Sequence, residues 1–332
     1  MLPRCKDRSN LRRHQQHATS NHCKNGIELL SAQEKKVFLT GATGGIGSHV
    51  SRSLLAAGFK VAALARPEST EKLTPGLTPI EGSLTDVEGF SKSFLDFQPD
   101  ILLHLGWIGV DKTSKSDPSQ IQNLKATVDL LTLCSQAKTQ TFLGMGSEAE
   151  YGPHHKKIDE SAATLPQTNY AIAKLAAGLT AHKICKDHNM DFVWLRLFSS
   201  YGPGDRSGSL MSLLIKTLMD KKPMPLSGCE QVWDYVHVKD IARLITQIAK
   251  DPKEGGFFNL GGGHAQPIKN VILQIAELMD PKADLRFGEI PYGKNQNMHL
   301  EADISKLKAV YGWEPQVSLE DGLKETIAFH QR

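Results

Sequence analysis

Between a short apolar run at residues 37–39 and a helical stretch ending at Ala57, residues 40–47 read TGATGGIG, four glycines in eight positions. A strand, a glycine-rich turn and a helix opening in that order leave few possible folds, because glycines let another segment or a ligand approach the backbone closely. The N–H groups of the helix's first turn and its dipole then favour an anion such as a pyrophosphate. Further apolar runs at residues 60–65, 101–105, 141–145 and 192–197 alternate with amphipathic stretches, with no internal repeat and no low-complexity linker. Such runs read as parallel strands buried on both faces, and their alternation with helices reads as βαβ units. The expected fold is α/β, a doubly wound parallel sheet of the Rossmann kind.

After Gly202 the pattern loses regularity, and Pro223, Pro225, Pro267, Pro281 and Pro291 cut it into short pieces. Residues 36–198 are therefore expected to form the dinucleotide-binding domain, with segments at about 234–262 and 299–304 returning to it, and 199–332 mainly a smaller substrate-binding lobe. Residues 1–35 read as a flexible basic extension. They carry seven Lys/Arg against three Asp/Glu, so the net charge of +3 comes from this tail and the remaining chain stands at −1. A basic surface that could neutralise a nucleic acid is not expected in the body. The longest nearly apolar stretch, 101–110, is interrupted by His104 and is half the length that crosses a bilayer, so no membrane partner is expected. The tail lacks the apolar core of a secretory leader. Five widely spaced cysteines (Cys5, Cys23, Cys134, Cys185, Cys229) form no Cys-x-x-Cys pair, which points to a reducing, cytoplasmic setting. Cys5, His14, His17, His22 and Cys23 fit no ligand spacing, and no metal is expected.

Three further positions carry chemistry. Arg66 stands nineteen residues beyond Gly47 at the end of the second strand, where an acid binds the ribose hydroxyls of NAD or an arginine accepts the 2′-phosphate of NADP. NADP is the first expectation; Glu68 keeps NAD open. Tyr170 and Lys174 lie one helical turn apart on one face, so the ammonium can favour the phenolate and fit the tyrosine for acid/base work. Ser147 ends another strand, from which its hydroxyl can reach the same substrate oxygen. Apolar residues recur at helical spacing along 120–136 and 168–186, each marking one face.

With these pieces in order, the chain resembles an extended short-chain dehydrogenase/reductase of the NAD-dependent epimerase/dehydratase family. The resemblance rests on the glycine turn, PDILLHLGW at 99–107, GSEAEYG at 146–152, NYAIAK at 169–174, LRLFSSYGPG at 195–204, WDYVHVKD at 233–240 and YGWEP at 311–315. It implies that Tyr170 is the acid/base, that Lys174 holds the nicotinamide ribose and tunes Tyr170, and that Ser147 binds the reacting oxygen. It further implies a dinucleotide held by Gly41, Thr43, Gly44, Gly45, Ile46, Gly47, Arg66, Leu84 and Leu105 along with Tyr170 and Lys174, and a homodimer paired through the apolar faces of 120–136 and 168–186. Ser83 stands where the family often has Asp, and Asn123 matches a family asparagine whose other reading is a structural hydrogen bond. Ser199 and Ser200 replace Asn-Val, and Trp233 replaces an arginine. Glu148 is followed by Ala149, where dehydratases of the family carry Asp-Glu, which disfavours water elimination.

Residues 286–292, Met298 and the 301–307 run resemble the branch that reduces nucleotide-linked 4-keto-6-deoxyhexoses, such as CDP-abequose synthases. Glu148, Trp233, Arg286 and Tyr292 are the substrate-binding candidates, with Arg286 and Lys294 suited to a diphosphate and the aromatic rings to a base or sugar. The expected activity is NAD(P)-dependent redox chemistry at C4 of a nucleotide-activated sugar, first as a 4-keto reductase. A 4-epimerase that retains NAD is the alternative, and a non-catalytic dinucleotide sensor a third, which the intact Ser147, Tyr170 and Lys174 oppose.

Overall fold

The computed structural model describes residues 35–332 apart from 112, 206, 207, 294 and 295. The tail cysteines and histidines and Lys294 therefore lie outside the described residues. Six strands, β1 (Lys36–Thr40), β2 (Lys60–Ala65), β3 (Thr78–Glu81), β4 (Ile101–His104), β5 (Thr141–Ser147) and β6 (Asp191–Leu197), join a seventh, Gly256–Leu260, in one sheet. Every pairing is parallel. From the seventh strand the order runs β6, β5, β4, β1, β2, β3. The winding reverses between β1 and β4, and in such sheets the crevice outside the strand C-termini at that reversal is where ligands bind.

Alternate residues of each strand feed opposite layers. Val37, Leu39, Ala63, Leu103, Leu143 and Val193 share one core with residues of helices α1 (Gly45–Ala56) and α6 (Val238–Lys250). Phe38, Ala62, Leu102, Phe142 and Phe192 share the other with α2 (Ser91–Phe97), α3 (Ile121–Ala137) and α4 (Asn169–Asp187). A third core joins α5 (Leu210–Met219), α7 (Ile268–Met279) and α9 (Leu319–His330). Leu307 and Tyr311 of α8 (Ser305–Tyr311), with Trp313, also enter the first core, beyond the 299–304 segment expected to return there.

The apolar stripe of α4 faces outward, and that of α3 divides, with Leu131 buried and Ile121 exposed. Ile121 is 60% exposed, Ile172 51% and Leu179 52%, whereas the buried face of α4 is Ala171, Ala173, Lys174, Ala177, Gly178 and Ala181. The reason is the Trp194 ring on β6: a Cβ on Gly178 would stand 2.9 Å from it, so only small residues fit beneath.

His104, at the end of β4, ties the two central strands to α3. Thr127 Oγ1 donates to the Asn123 carbonyl (2.8 Å), so it must accept from His104 Nε2 (3.3 Å). Nδ1 then accepts from Thr40 Oγ1 (2.8 Å), which itself accepts the Gly106 N–H (3.0 Å). The imidazole is neutral and fully bonded, and burial, with Lys174 nearby, pushes its pKa from 6.5 down to about 3. Protonation therefore favours the unfolded chain: this contribution to stability is complete above pH 6.5 and is lost as the pH falls toward 3. Unfolding free energies from urea melts across that interval should fall with decreasing pH, with a slope of up to about 1.4 kcal/mol per pH unit from this group. His104→Asn should lower stability at neutral pH and flatten the slope; an unchanged slope would contradict the assignment.

Candidate functional site

The turn after β1 is packed backbone against backbone. Gly41 has φ +80, and a Cβ there would stand 2.7 Å from the Gly106 nitrogen. A Cβ on Gly47 would lie 2.0 Å from the Gly41 carbonyl oxygen, and one on Gly45 2.3 Å from the Gly204 oxygen. Gly44 differs: its nearest neighbour would be at 3.4 Å, ordinary contact, and its φ of −78 suits any residue. Protein packing does not require glycine at that position. Helix α1 begins there with no side-chain cap and no acidic residue in its first turn. An exposed glycine beside an uncapped helix N-terminus leaves room and charge preference for a phosphate. Thr43 is exposed beside it, Ile46 and Leu105 pack on the first core, and Leu84 Cδ1 comes within 3.0 Å of a Cβ built on Gly106. The turn, Leu84 and Leu105 thus lie close together, and these residues fit a dinucleotide. Arg66 follows β2, exposed and ion-paired with Glu68 at 3.3 Å.

Across the crevice, Ser147 is the last residue of β5 and N-caps the short turn Glu148–Glu150. Its hydroxyl donates to Glu148 Oε2 at 2.6 Å and accepts the Ala149 N–H at 3.2 Å. Burial raises the Glu148 pKa, opposed by the Ser147 hydrogen bond and by the charge of Lys115. Beneath lies a second carboxylate, Glu150, fully buried. It accepts from the Ser147 N–H (2.9 Å), the Trp194 indole (3.0 Å) and Arg196 Nε (2.8 Å), which fixes the end of β5 against β6.

Tyr170 and Lys174 sit in the first two turns of α4, whose N-cap Thr168 accepts the Ala171 N–H. Lys174 is buried, and its Nζ donates to the Met145 carbonyl at 2.6 Å. It also stands 3.7 Å above the Trp107 ring centre, close enough for a strong cation–π contact. Trp107 meets Tyr170 edge-on, with ring centres 6.1 Å apart, and its indole donates to Gln120 Oε1 at 2.8 Å. Asn123 clasps the backbone of Ile108, accepting its N–H at 2.8 Å and donating to its carbonyl at 3.0 Å, the structural of its two readings. Trp107, Lys115, Gln120 and Glu150 were not singled out from the sequence. The local signals are that Trp107 ends the PDILLHLGW run and Glu150 lies within GSEAEYG.

Trp233 and Tyr292 line one cavity of about 540 Å³, walled otherwise mainly by apolar groups including Leu210, Leu226 and Ile268. Trp233 Nε1 donates to Ser199 Oγ at 2.6 Å, so the tryptophan and serine that depart from the family pattern bond each other. Arg286 is not part of that wall; it is exposed and ion-paired with Asp284 at 2.9 Å. Among the described residues no cluster of three metal-ligating side chains occurs, and no helix is long and apolar enough to cross a membrane.

A parallel sheet with a glycine turn at its reversal and a Ser, Tyr, Lys set on β5 and α4 defines an enzyme of the extended short-chain dehydrogenase/reductase class. The sequence signature of the NAD dependent epimerase/dehydratase family matches residues 37–261, and the chain belongs to that family. A Bacillus subtilis protein described as an uncharacterized UDP-glucose epimerase is 29% identical over 315 residues, covering 89% of this chain and 97% of its own. The CDP-abequose synthase of Salmonella muenchen is 23% identical, covering 90% and 98%. The solved UDP-glucose 4-epimerase of Thermotoga maritima shares the fold with a TM-score of 0.82 at 24% identity, covering 89% and 98%.

The glycine geometry separates two roles. Gly44→Ala should melt within about 2 °C of the parent yet bind dinucleotide roughly tenfold more weakly or worse. Gly47→Ala should instead lose about 1–3 kcal/mol of stability, because its new Cβ has no room. Thermal melts and fluorescence titration of the dinucleotide check both; identical behaviour of the two variants would contradict the division.

Proposed function

We propose that this enzyme carries out redox chemistry at C4 of a nucleotide-activated sugar, with Tyr170 as the acid/base. The observation that carries the reading is the convergence of Ser147, Glu148, Tyr170 and the buried Lys174 at the C-terminal end of β5, across the crevice from the glycine turn. When bound, the nicotinamide supplies or accepts the hydride. The chain's own part is to hold the sugar oxygen and manage its proton.

In the reducing direction Tyr170 gives its proton to the C4 oxygen, and Lys174 favours the phenolate that remains. Ser147 supplies a second hydrogen bond to that oxygen. Its proton is held by Glu148, but a Glu148 driven toward its neutral form by burial can reverse the bond, donating to Ser147 Oγ and freeing the serine proton for the sugar. The apolar cavity bearing Trp233 and Tyr292 suits a planar base or a deoxysugar.

We take reduction of an NDP-4-keto-6-deoxyhexose as the first outcome, supported by Arg66 after β2, which suits NADPH that exchanges at each turnover, and by the resemblance of residues 286–307 to that branch. The relative described as a UDP-glucose epimerase supports the second, a 4-epimerase that retains NAD. Among the described residues Cys134, Cys185 and Cys229 are buried free thiols, which supports a reducing, cytoplasmic setting.

Tyr170→Phe should lower kcat about 10²–10⁴-fold with dinucleotide affinity nearly intact, because only the proton donor is removed. The assay follows NADPH and NADH consumption with a nucleotide-linked 4-keto-6-deoxyhexose, and NADPH should be preferred. Full activity in the variant would end the acid/base assignment. Dinucleotide that remains with the protein until it is denatured, rather than exchanging, would favour the epimerase.

We also propose that the outward faces of α3 and α4, with Ile121, Ile172 and Leu179 exposed, pair with their copies in a homodimer. Light scattering at micromolar concentration should give twice the 36.5 kDa chain mass, and Ile172→Asp with Leu179→Asp should give one chain mass. A monomeric parent would contradict this.

A further inference from the structure

We propose that Lys115 is a second cation that tunes Tyr170, acting alongside the motif lysine; the proposal rests on the acid/base role given to that tyrosine. The geometry points to it directly. Lys115 Nζ lies 5.0 Å from the Tyr170 ring centre, closer than Lys174 Nζ at 6.0 Å. Cations within about 6 Å of an aromatic ring are attracted to it, and the attraction grows once the phenol becomes an anion. The equilibrium of Tyr170 is thereby drawn toward the phenolate.

The backbone around Lys115 is built to hold that place. Lys115 sits in the middle of the short turn Ser114–Ser116. The Ser114 carbonyl accepts from buried Gln120 Nε2 at 3.1 Å, and the Ser116 carbonyl accepts from Asn169 Nδ2 at 2.7 Å. Asn169 is the first residue of α4 and the neighbour of Tyr170, so the turn and the tyrosine are fixed to each other. The two lysines are spent differently. Lys174 is buried, bonded to the Met145 carbonyl and covered by Trp107. Lys115 is half-buried, makes no hydrogen bond or ion pair among the described residues, and also acts on Glu148. Among the described residues, the charged and titratable groups around Tyr170 include Lys174 on its own helix, Lys115 from the turn before α3 and Glu148 from the turn after β5, with neutral His104 behind Lys174. On the same loop as Lys115, the Asp111 carboxylate is taken up by the hydroxyls of Thr113 and Ser114.

The test is a spectroscopic titration of tyrosinate in the whole protein, with the Tyr170→Phe signal subtracted to isolate one group among six tyrosines. Burial pushes Tyr151, Tyr201, Tyr235 and Tyr311 above the ordinary tyrosine value, which clears the lower part of the window. Lys115→Gln should raise the Tyr170 midpoint by roughly half a unit or more, and Lys115→Arg should restore most of it. Because Lys115 is partly in water, added salt should raise the parent midpoint and leave that of Lys115→Gln nearly still. Lys115→Met serves in the same role if Lys115→Gln melts early. An unmoved midpoint in Lys115→Gln or Lys115→Met overturns the proposal, and if Lys174→Met still moves it, the acid/base reading survives. A parent Tyr170 that neither lysine moves would count against the reading itself. The pH profile of kcat should shift in the same direction as the titration, whereas a rise in KM alone would mark Lys115 as a substrate contact and overturn the tuning role.

Discussion

A backbone contact with no room for a Cβ holds the working end of this sheet together. Gly41 lies against Gly106, Gly47 against Gly41, and Gly45 against Gly204, joining β1, the end of β4, the start of α1 and the loop after residues 199–201 at one point. These contacts set how closely β1 and β4 diverge, and so the width of the crevice at the reversal of the sheet. They also leave Gly44 as the one member of the turn whose missing side chain serves a space outside the protein.

The opposite wall depends on charge kept out of water. Glu150 and Arg196 form a buried pair, and such pairs cost desolvation that attraction alone does not always offset. Here the carboxylate spends its remaining capacity on the Ser147 N–H and the Trp194 indole, so the pair works as a clamp on the strand that presents Ser147. Above it, Lys174 is held by a carbonyl and an aromatic face. The arrangement keeps positive charge beside the tyrosine in a site from which water is largely excluded, where it acts most strongly.

The sheet and the placing of Tyr170 and Lys174 on one helix face were legible because each rests on a local rule. Strands buried on both faces must be apolar throughout, and a tyrosine and lysine four apart share a helix face whatever surrounds them. The short edge strand Thr78–Glu81 was missed because only Ile80 is buried and Pro79 masks the pattern. The apolar stripes of α3 and α4 were legible from their spacing, whereas the alanine and glycine of α4's inner face follow from the ring of Trp194 on another element. Trp107 and Lys115 escaped notice for a different reason. Lys115 reaches Tyr170 across 55 positions of sequence, from a loop that carries no periodicity. Arg286 was read as a ligand for a diphosphate, yet its guanidinium is taken up by its neighbour Asp284.

The central claim is that hydride passes between the nicotinamide and C4 of a sugar while Tyr170 handles the proton. It is tested most directly by supplying NADPH deuterated at the transferring position with a nucleotide-linked 4-keto-6-deoxyhexose, and locating the label in the product by NMR. The account predicts one deuterium at C4 of the sugar, with its transfer slowed in Tyr170→Phe. Turnover that leaves the label in the dinucleotide, or delivers it to another carbon, would contradict it.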